Sequence, residues 1–291
     1  MLANRARKNF HRLHPRFEGR GIGTFRVYDR DIPGIRAAID WYEGHLVVAE
    51  YAREQTAGLP WLETIARAAA EALAVPWERV HLRKRRAGGK YERLASRGER
   101  IEVRERDLRF LVNLDDYLDT GLFADHRETR ALIRKEARGK SFLNLFAYTG
   151  SFTCAALKGG ARSSVSVDAS PIYLEWARDN LALNGLEGAL VRGDVREFLA
   201  AANERWQLCV LDPPSRSDHG ARMFDVQRDH RSLIEKTLAV LEPRGVLWFS
   251  TNHQRFEPRL EGLRCTEMTG QTVPEDYRNR AVHRSFRIVN G

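Results

Sequence analysis

The sequence predicts an α/β fold with a doubly wound, mostly parallel sheet, preceded by a smaller N-terminal α+β domain. Three observations support this prediction. Beyond Lys140, apolar strand patterns alternate regularly with helical patterns, which is typical of parallel strands joined by right-handed crossovers. Four of these strand patterns end beside a glycine or a carboxylate, at Gly150, Asp168, Asp194 and Asp212. Before residue 110 the alternation is absent, and short strand patterns with turn signals take its place.

The N-terminal region is expected to hold a small antiparallel sheet and one helix. Turn signals at Pro33-Gly34 and Glu43-Gly44 separate its first strand patterns. We place the domain boundary between residues 115 and 116, so that the two domains are 1–115 and 116–291. The predicted elements are strands at 26–29, 45–49, 80–85 and 101–106 and a helix at 62–73.

The C-terminal region is expected to hold five parallel strands and their crossover helices. Ligands of such sheets bind beyond the carboxyl ends of the strands, where the polar segments of this chain fall. The predicted strands are 142–146, 163–167, 188–191, 208–211 and 245–250, and the predicted helices are 151–158, 173–184, 195–203 and 224–241.

Composition restricts the class of protein. The N-terminal ten residues carry no apolar signal core, and no stretch approaches the roughly 20 apolar residues of a membrane span. The three cysteines, Cys154, Cys209 and Cys265, lack CxxC spacing, so neither a disulfide framework nor a metal site is expected. We therefore expect a soluble, cytoplasmic protein without a bound metal.

Positive charge is concentrated at the N-terminus. Residues 1–110 hold 23 Lys and Arg and 15 Asp and Glu, a net of +8 out of +9 for the whole chain. Two stretches carry the excess, 5–20 and 83–90. A solvated basic face is one interpretation; beside a catalytic domain, an RNA-holding surface is favoured. The candidate contacts are Arg5, Lys8, Arg83, Lys84, Arg85 and Arg86.

The strand-end segments predict a site for S-adenosylmethionine. Gly150 lies in the first strand-to-helix turn, where the backbone can approach a ligand closely. Asp168 is placed to accept the ribose hydroxyls, and Asp194, with the Val195 amide, to contact the adenine. Each acid alone is better explained as a helix N-cap, but three in register with a glycine turn favour a nucleoside site. The missing further glycines disfavour NAD or FAD.

The segment Asp212-Pro213-Pro214-Ser215 is the candidate catalytic loop. Two successive prolines restrict φ and donate no hydrogen bond, so their carbonyls can face a planar base. An Asp followed by such a turn, at the end of the fourth strand, is typical of amino- and ring-nitrogen methyltransferases. The sulfonium methyl is already activated, so the protein must mainly align the acceptor and exclude water.

Several stretches of the chain carry a resemblance to one known family. They are 4–9, 28–33, 117–127, 144–150, 173–176, 212–214, 224–230 and 249–252. On these stretches the chain resembles the bacterial 23S ribosomal RNA methyltransferases, whose guanine-N7 branch (methyltransferase K) is often the C-terminal half of a fused K/L protein and whose sister branch methylates cytosine C5. The resemblance implies a Rossmann-like class I methyltransferase fold with a seven-stranded sheet, and a partner or fused second methyltransferase module.

The resemblance also implies further site residues. The segment 119–127 is expected to fold over the cofactor. The cofactor contacts that it implies in this segment are Thr120, Asp125 and Arg127. From their position at the start of the fourth predicted helix, Arg222, Phe224 and Arg228 are expected beside the target loop, where arginine can bind phosphate and Phe224 can stack a flipped base. The strand-end segments supply the other candidate cofactor contacts, which are Asn144, Phe146, Tyr148, Thr149, Gly150, Asp168, Ala169, Asp194, Val195 and Asp212.

Two other activities stay open at this point. A cytosine-C5 enzyme needs a thiolate that adds to the ring, yet Ser215 and Thr251-Asn252 occupy the places where such enzymes carry it. A non-enzymatic RNA-binding protein would not need Asp168 or the Asp-Pro-Pro turn, and both are present. Methylation of guanine N7 of 23S ribosomal RNA, without a covalent enzyme intermediate, is therefore the predicted reaction.

Overall fold

A computed structural model describes residues 1–51, 60–85, 98–117, 119–217 and 223–291 of the chain. These residues form two compact units. The N-terminal unit comprises Met1–Ala124 and Glu275–Asn279, and the C-terminal unit comprises Asp125–Pro274 and Arg280–Gly291. The functional domains 1–115 and 116–291 stay a prediction.

The described part of the N-terminal unit contains two helices, a four-stranded sheet and a β-hairpin. Its elements are α1 (Leu2–Glu18), β1 (Thr24–Asp29), β2 (Ala37–Tyr42), β3 (His45–Tyr51), α2 (Trp61–Leu73), β4 (Val80–Arg85), β5 (Ile101–Glu105) and β6 (Leu108–Val112). The sheet has the order β1-β2-β3-β4. Its first three strands are antiparallel, as expected, and β4 joins parallel to β3. Strand β5 forms a hairpin with β6, a strand that the sequence pattern did not indicate, and its Glu105 also bridges to Ile22.

Helix α1 is the largest addition to the expected fold. The sequence pattern there suggested only a basic segment, because charged residues outnumber apolar ones. Leu2, Ala6, Leu13 and Phe17 nevertheless recur on one helical face and are buried. Burial of a side chain as large as Leu or Phe contributes roughly 1.5–3 kcal/mol, so this stripe anchors the helix to the unit and leaves its cations outside.

The C-terminal unit contains a seven-stranded sheet within its described residues. Its elements are α3 (Arg127–Glu136), β7 (Ser141–Leu145), α4 (Ser151–Lys158), β8 (Ser163–Asp168), α5 (Pro171–Leu183), β9 (Ala189–Arg192), α6 (Val195–Ala201), β10 (Trp206–Leu211), β11 (Arg216–Ser217), β12 (Phe224–Asp225), α7 (Val226–Ala239), β13 (Leu241–Thr251), β14 (Arg264–Glu267), α8 (Thr269–Thr272) and β15 (Arg284–Val289). The predicted mostly parallel, seven-stranded sheet is confirmed.

The strand order creates a switch point at the centre of the sheet. The order is β14-β15-β13-β10-β7-β8-β9, with β13, β10, β7, β8 and β9 parallel. From β7 the chain winds outward to β9 and then returns to β10 on the other side. Ligand-binding crevices of open α/β sheets form at the strand ends beside such a reversal, here between β7 and β10.

Burial on both faces explains why the central strands are apolar throughout. In β7, Phe142 packs into one core cluster and Leu143 and Leu145 into another. In β10, Leu208 belongs to the first of these clusters and Cys209 to the second. Because neighbouring side chains of a strand point to opposite faces, both faces of the sheet are covered by helices, as a doubly wound fold requires.

Two predicted boundaries need correction. The helix predicted over 224–241 spans Val226–Ala239, because Phe224 and Asp225 form β12 and the Asp225 carboxylate accepts the Gln227 amide as an N-cap. The strand predicted from Gly245 begins at Leu241. Only Val240 separates the end of α7 from this strand.

Candidate active site

Four loops converge at one edge of the C-terminal sheet. Leu145, at the end of β7, is in register with Val167 of β8 on one side and Leu211 of β10 on the other. Asp168 is in register with Arg192 at the end of β9. The loops that follow these strands therefore start at the same level. The structure brings together the segments around Gly150, Asp168, Asp194 and Asp212.

The loop after β7 is held in an unusual backbone conformation. Phe146, Tyr148 and Gly150 have φ values of 58°, 50° and 76°. Positive φ costs a non-glycine residue about 1–2 kcal/mol. Hydrogen bonds offset this cost: the Tyr148 amide donates to Asp168 Oδ2 at 2.9 Å, and buried Asn180 donates to the Thr149 carbonyl at 2.9 Å. Strain of this kind concentrates at binding sites.

Asn180 is a supporting residue that the sequence analysis missed. It lies on α5, is fully buried, and donates a hydrogen bond to the carbonyl of Thr149. The signal was available, since an amide on the buried face of an amphipathic helix needs a partner. Asn144, a predicted cofactor contact, is buried on β7, and its side chain donates to Thr153 Oγ1 of α4 at 2.9 Å.

Gly150 has a different role from the one expected. It is the N-cap of α4, and a Cβ there would lie 2.9 Å from Cβ of Ala177 in α5. The missing side chain thus permits close packing of two helices as well as a positive φ. The interpretation that it is there for ligand approach alone is incomplete, because packing by itself requires glycine at this position.

The carboxylates after β8 and β9 are both oriented by backbone amides. Asp168 accepts the Tyr148 amide on Oδ2 and the Ser170 amide on Oδ1, the latter at 2.8 Å. Asp194 is the N-cap of α6 and also pairs with Arg196 at 2.7 Å. The hydrogen bond from Arg196 lowers the pKa of Asp194. Ala169 is exposed beside Asp168, and Val195 is buried beside Asp194.

Asp212 lies between a serine hydroxyl and a histidine ring. Its Oδ1 accepts the Ser250 hydroxyl at 2.6 Å, and its Oδ2 lies 3.8 Å from His126 Nε2. The side chain keeps 24% of its surface exposed, so it can meet a ligand. Pro213 is buried and Pro214 half-buried behind it. Ser215 donates to Asn252 Oδ1 at 2.8 Å, which ties this loop to the end of β13.

A buried pair of imidazoles lies behind Asp212. His126 and His283 stack with ring centroids 4.1 Å apart and planes 14° apart. His283 Nδ1 is 3.1 Å from Asp125 Oδ2, and its Nε2 is 3.0 Å from Thr272 Oγ1. His283 was not a candidate in the sequence analysis, since no spacing relates a lone histidine near the C-terminus to the segment 119–127.

Asp125, His126 and His283 also satisfy the simplest distance test for a cation site. One potential ligand atom from each lies within 4.8 Å of the others. Imidazole nitrogens bind metals in the plane of the ring, and two nearly parallel stacked rings cannot both direct a lone pair at one ion. Both nitrogens of His283 already have hydrogen-bond partners. The arrangement fits a hydrogen-bonded pair better than a metal centre.

The remaining predicted cofactor contacts divide between the units. Thr120 belongs to the N-terminal unit, where its hydroxyl is 3.1 Å from the Tyr42 hydroxyl. Arg127 belongs to the C-terminal unit and is 1% exposed. Tyr148 packs edge-on against Tyr173 with centroids 4.6 Å apart. That the segment 119–127 folds over the cofactor stays a prediction.

Two predicted RNA contacts are wrong. Arg83 is buried, and its guanidinium donates to the carbonyls of Leu114 and Leu82, because alternate side chains of β4 face the interior. Phe224 is 3% exposed and packs in the core, with its ring 6.1 Å from that of Phe146. Neither can reach RNA without unfolding its surroundings.

The other predicted RNA contacts are exposed or lie outside the described residues. Arg5, Lys8, Lys84 and Arg228 are exposed. Arg228 also bonds Asp229 at 2.7 Å. The side chains of Arg85, Arg86 and Arg222 fall outside the part of the chain that the structure describes.

The three cysteines are unsuited to nucleophilic chemistry. Cys209 is buried in β10 and Cys154 in α4. Burial raises the pKa of Cys154 to about 12 and raises that of Cys209 as well. Cys265, on β14, also has a pKa raised by partial burial. A thiolate is the reactive form, so none of these side chains is poised to attack a base.

Among the described residues, no helix combines the length and the apolar character needed to cross a membrane.

Comparison with known proteins agrees with this geometry. Residues 19–270 match the family model described as S-adenosylmethionine-dependent methyltransferase. The ribosomal RNA large subunit methyltransferase K/L of Pseudomonas aeruginosa is 45% identical over 99% of the chain and 42% of its own length. That of Vibrio cholerae is 40% identical over 99% of the chain and 43% of its own length. The chain thus spans about two fifths of the length of these relatives.

Solved structures show the same fold. SMU.776, whose crystal structure contains SAH, aligns with a TM-score of 0.75 and 21% identity over 99% of this chain and 81% of its own. The tRNA m1G37 methyltransferase of M. jannaschii aligns with a TM-score of 0.59 and 16% identity over 98% of this chain and 77% of its own. At these identities the likeness concerns the fold.

Proposed function

Because the chain belongs to the S-adenosylmethionine-dependent methyltransferase family, we propose that it methylates large-subunit (23S) ribosomal RNA at N7 of a guanosine. The cofactor predicted from the strand-end segments agrees with this family. The position of Asp212-Pro213-Pro214 at the centre of the sheet carries the proposal. The carboxylate of Asp212 and the carbonyls of the two prolines lie beside the switch point, where a flat base can be held against the bound cofactor.

The described residues fit S-adenosylmethionine. Asp168 presents an oriented carboxylate at the end of β8, as a ribose contact requires. The amides at the start of α4 suit the methionine carboxylate, and the β9 end with Asp194 suits the adenine. When bound, the cofactor supplies an activated methyl group on a sulfonium.

In the proposed reaction a new bond forms between guanine N7 and the methyl carbon as the methyl–sulfur bond breaks. The sulfonium becomes a neutral thioether, and the guanine becomes a cation. N7 carries a free lone pair and loses no proton, so no general base is required. Asp212 stabilises the positive charge that develops on the base, an effect that is strongest in a partly dehydrated site. Ser250 holds the carboxylate in place for this role.

The N-terminal unit supports an RNA substrate. Helix α1 exposes Arg5, Arg7, Lys8 and Arg12 on the face opposite its buried stripe, and its first acidic residue is Glu18. Such a face neutralises phosphates without reading bases. The names of the relatives, ribosomal RNA large subunit methyltransferases, favour ribosomal RNA over other polyanions. A cytoplasmic setting and a partner or fused second methyltransferase module belong to the same proposal, since the relatives are more than twice as long.

The experiment that tests this function is nucleotide mapping. Unmodified large-subunit RNA is incubated with the protein and S-adenosylmethionine labelled in the methyl group, and the modified nucleotide is located. We expect one guanosine carrying the label at N7. Label at a cytosine carbon would instead support the sister activity. Absence of label on RNA, with cofactor binding intact, would refute the RNA substrate.

A further inference from the structure

The stacked pair of His126 and His283 is the most unusual buried feature outside the assigned cofactor contacts. His126 is 4% exposed and His283 is 1% exposed. The face of His126 lies on His283, and the edge of Phe152 closes another side with its centroid 5.6 Å away. Because the His126 ring is packed between His283 and Phe152, its plane is fixed, and its nitrogens must find their hydrogen-bond partners in that plane.

His283 serves as the fixed part of the pair. Its Nδ1 can donate to Asp125, and its Nε2 meets Thr272, so the ring is held at both nitrogens. These two contacts join the start of α3 to α8 and to β15. Flat packing on such an anchored ring fixes the plane in which the His126 imidazole lies.

Burial favours the neutral form of His126, and its neighbours are compatible with the Nε2–H tautomer. Burial lowers its pKa to about 4, and the neighbouring His283 adds to this effect. Asp212, Asp125 and Arg130 are the other charged groups that act on it. The Thr129 hydroxyl lies 3.3 Å from Nδ1 and can donate to it, which leaves the ring proton on Nε2, facing Asp212 at 3.8 Å.

We propose that His126 is a positioning residue for Asp212: its Nε2–H, aimed by the stack on His283, holds the carboxylate toward the acceptor base. Ser250 donates a hydrogen bond to one oxygen of Asp212 at 2.6 Å, and the Nε2–H of His126 lies 3.8 Å from the other, so the attraction of this dipole adds to the single hydrogen bond. This inference rests on the proposed role of Asp212 in methyl transfer. His126 itself exchanges no proton with the substrate.

Three variants test the inference by methyl-transfer kinetics. His126→Phe keeps a flat ring on His283 but removes the donor, whereas His126→Gln keeps a donor near the same place. We expect His126→Phe to lower kcat by about 10²-fold, the scale of a small misplacement in an active site, with KM for the cofactor nearly unchanged. His126→Gln should recover most of this loss.

The matched control is His230→Phe. His230 is also fully buried in the C-terminal unit, where it contacts the Val226 carbonyl and the Arg259 amide. This variant should lower stability and leave kcat nearly unchanged. If His126→Phe and His126→Gln lose the same activity, or if the loss lies in KM for the cofactor, the positioning role is refuted.

A measurement independent of activity separates this inference from the proposed function. Nitrogen NMR of the labelled histidines should show His126 as the neutral Nε2–H tautomer at pH 7, with its Nε2 resonance shifted in Asp212→Asn. A proton on Nδ1, or an Nε2 resonance that does not shift in Asp212→Asn, would overturn the inference whether or not RNA is the substrate. Full activity of Asp212→Ala would refute the role of Asp212 and with it the inference, whereas absence of label on RNA would refute the proposed function and leave the NMR result unaffected.

Discussion

Helix α1 of the N-terminal unit and the region around Asp212 in the C-terminal unit place their charged side chains in opposite environments. Helix α1 of the N-terminal unit holds its cations on the surface, around a stripe of buried apolar residues. In the C-terminal unit, His126, Arg127, Arg130 and His283 are each at most 4% exposed. Exposed charges act additively and weaken with salt. Buried ones act through fixed geometry, so single substitutions there should have the larger effects.

The largest expected effect is that of Asp212→Ala. Removing the carboxylate that faces the reacting base should reduce methyl transfer by about 10³-fold, the upper range for removal of one electrostatic interaction from an active site. RNA affinity should stay within about twofold, because the exposed cations of the N-terminal unit remain. Single-turnover kinetics and a filter-binding titration measure the two quantities separately. An equally large loss of RNA affinity would contradict the assignment of RNA binding to the N-terminal unit and of methyl transfer to Asp212.

Asp168→Ala should have the next largest effect. The change removes the proposed ribose acceptor and also the partner of the Tyr148 amide in the strained loop. We expect cofactor affinity to fall by about 10²-fold, equal to roughly 2.7 kcal/mol. Calorimetric titration with S-adenosylmethionine measures it. Asp194→Ala is the control: it removes an N-cap worth about 1 kcal/mol and should reduce cofactor affinity less.

Acid should destabilise the C-terminal unit through His126. Its pKa of about 4 lies below the usual value of 6.5, so the unfolded chain binds the extra proton first as the pH falls. Stability is therefore complete above about pH 6.5 and is lost progressively toward pH 4. At pH 5 the loss from this group is about 2 kcal/mol. Urea unfolding at pH 7 and pH 5 measures it, and His126→Phe should reduce the difference.

The smallest expected effect concerns the surface of α1. Changing Arg5, Lys8 and Arg12 together to Gln should weaken RNA binding by roughly tenfold and lower the salt slope by about 0.7–0.9 for each phosphate that the variant no longer neutralises. The kcat at saturating RNA should not change. Arg67→Gln is the control, since this exposed cation on α2 is already paired with Glu63 at 2.7 Å. An unchanged slope in the triple variant would show that α1 is only a solvated face.

The five parallel strands of the C-terminal sheet were predictable from their apolar patterns, whereas the antiparallel strands β14 and β15 were not among the predicted strands. Continuous apolar runs such as 208–211 leave little choice of structure once helical patterns separate them. Helix α1 was harder, since its buried stripe is only one residue in four and the rest is basic. The hairpin strand β6 was missed because its alternation is short and begins directly after a two-residue turn.

In the candidate site, too, residues with a local sequence signal were predicted and residues placed by tertiary packing were not. Asp168, Asp194 and Asp212 were found because an acid at a strand end is a local signal. Arg83 and Phe224 were misplaced, because the face on which a side chain lies depends on what covers the strand. Ser250 and His283 were not found, since each meets its partner through residues far away in sequence.

By itself, the sequence determined the alternating fold, the four strand-end segments and the basic character of the N-terminal region, because each follows from local pattern and composition. Only the tertiary structure decided which of these polar groups are oriented and by what. Asp212 accepts a hydrogen bond from Ser250, 38 residues away, and its other oxygen lies 3.8 Å from His126 Nε2. Contacts of this kind are set by the packing of separate elements, and packing brings together residues that no local pattern relates.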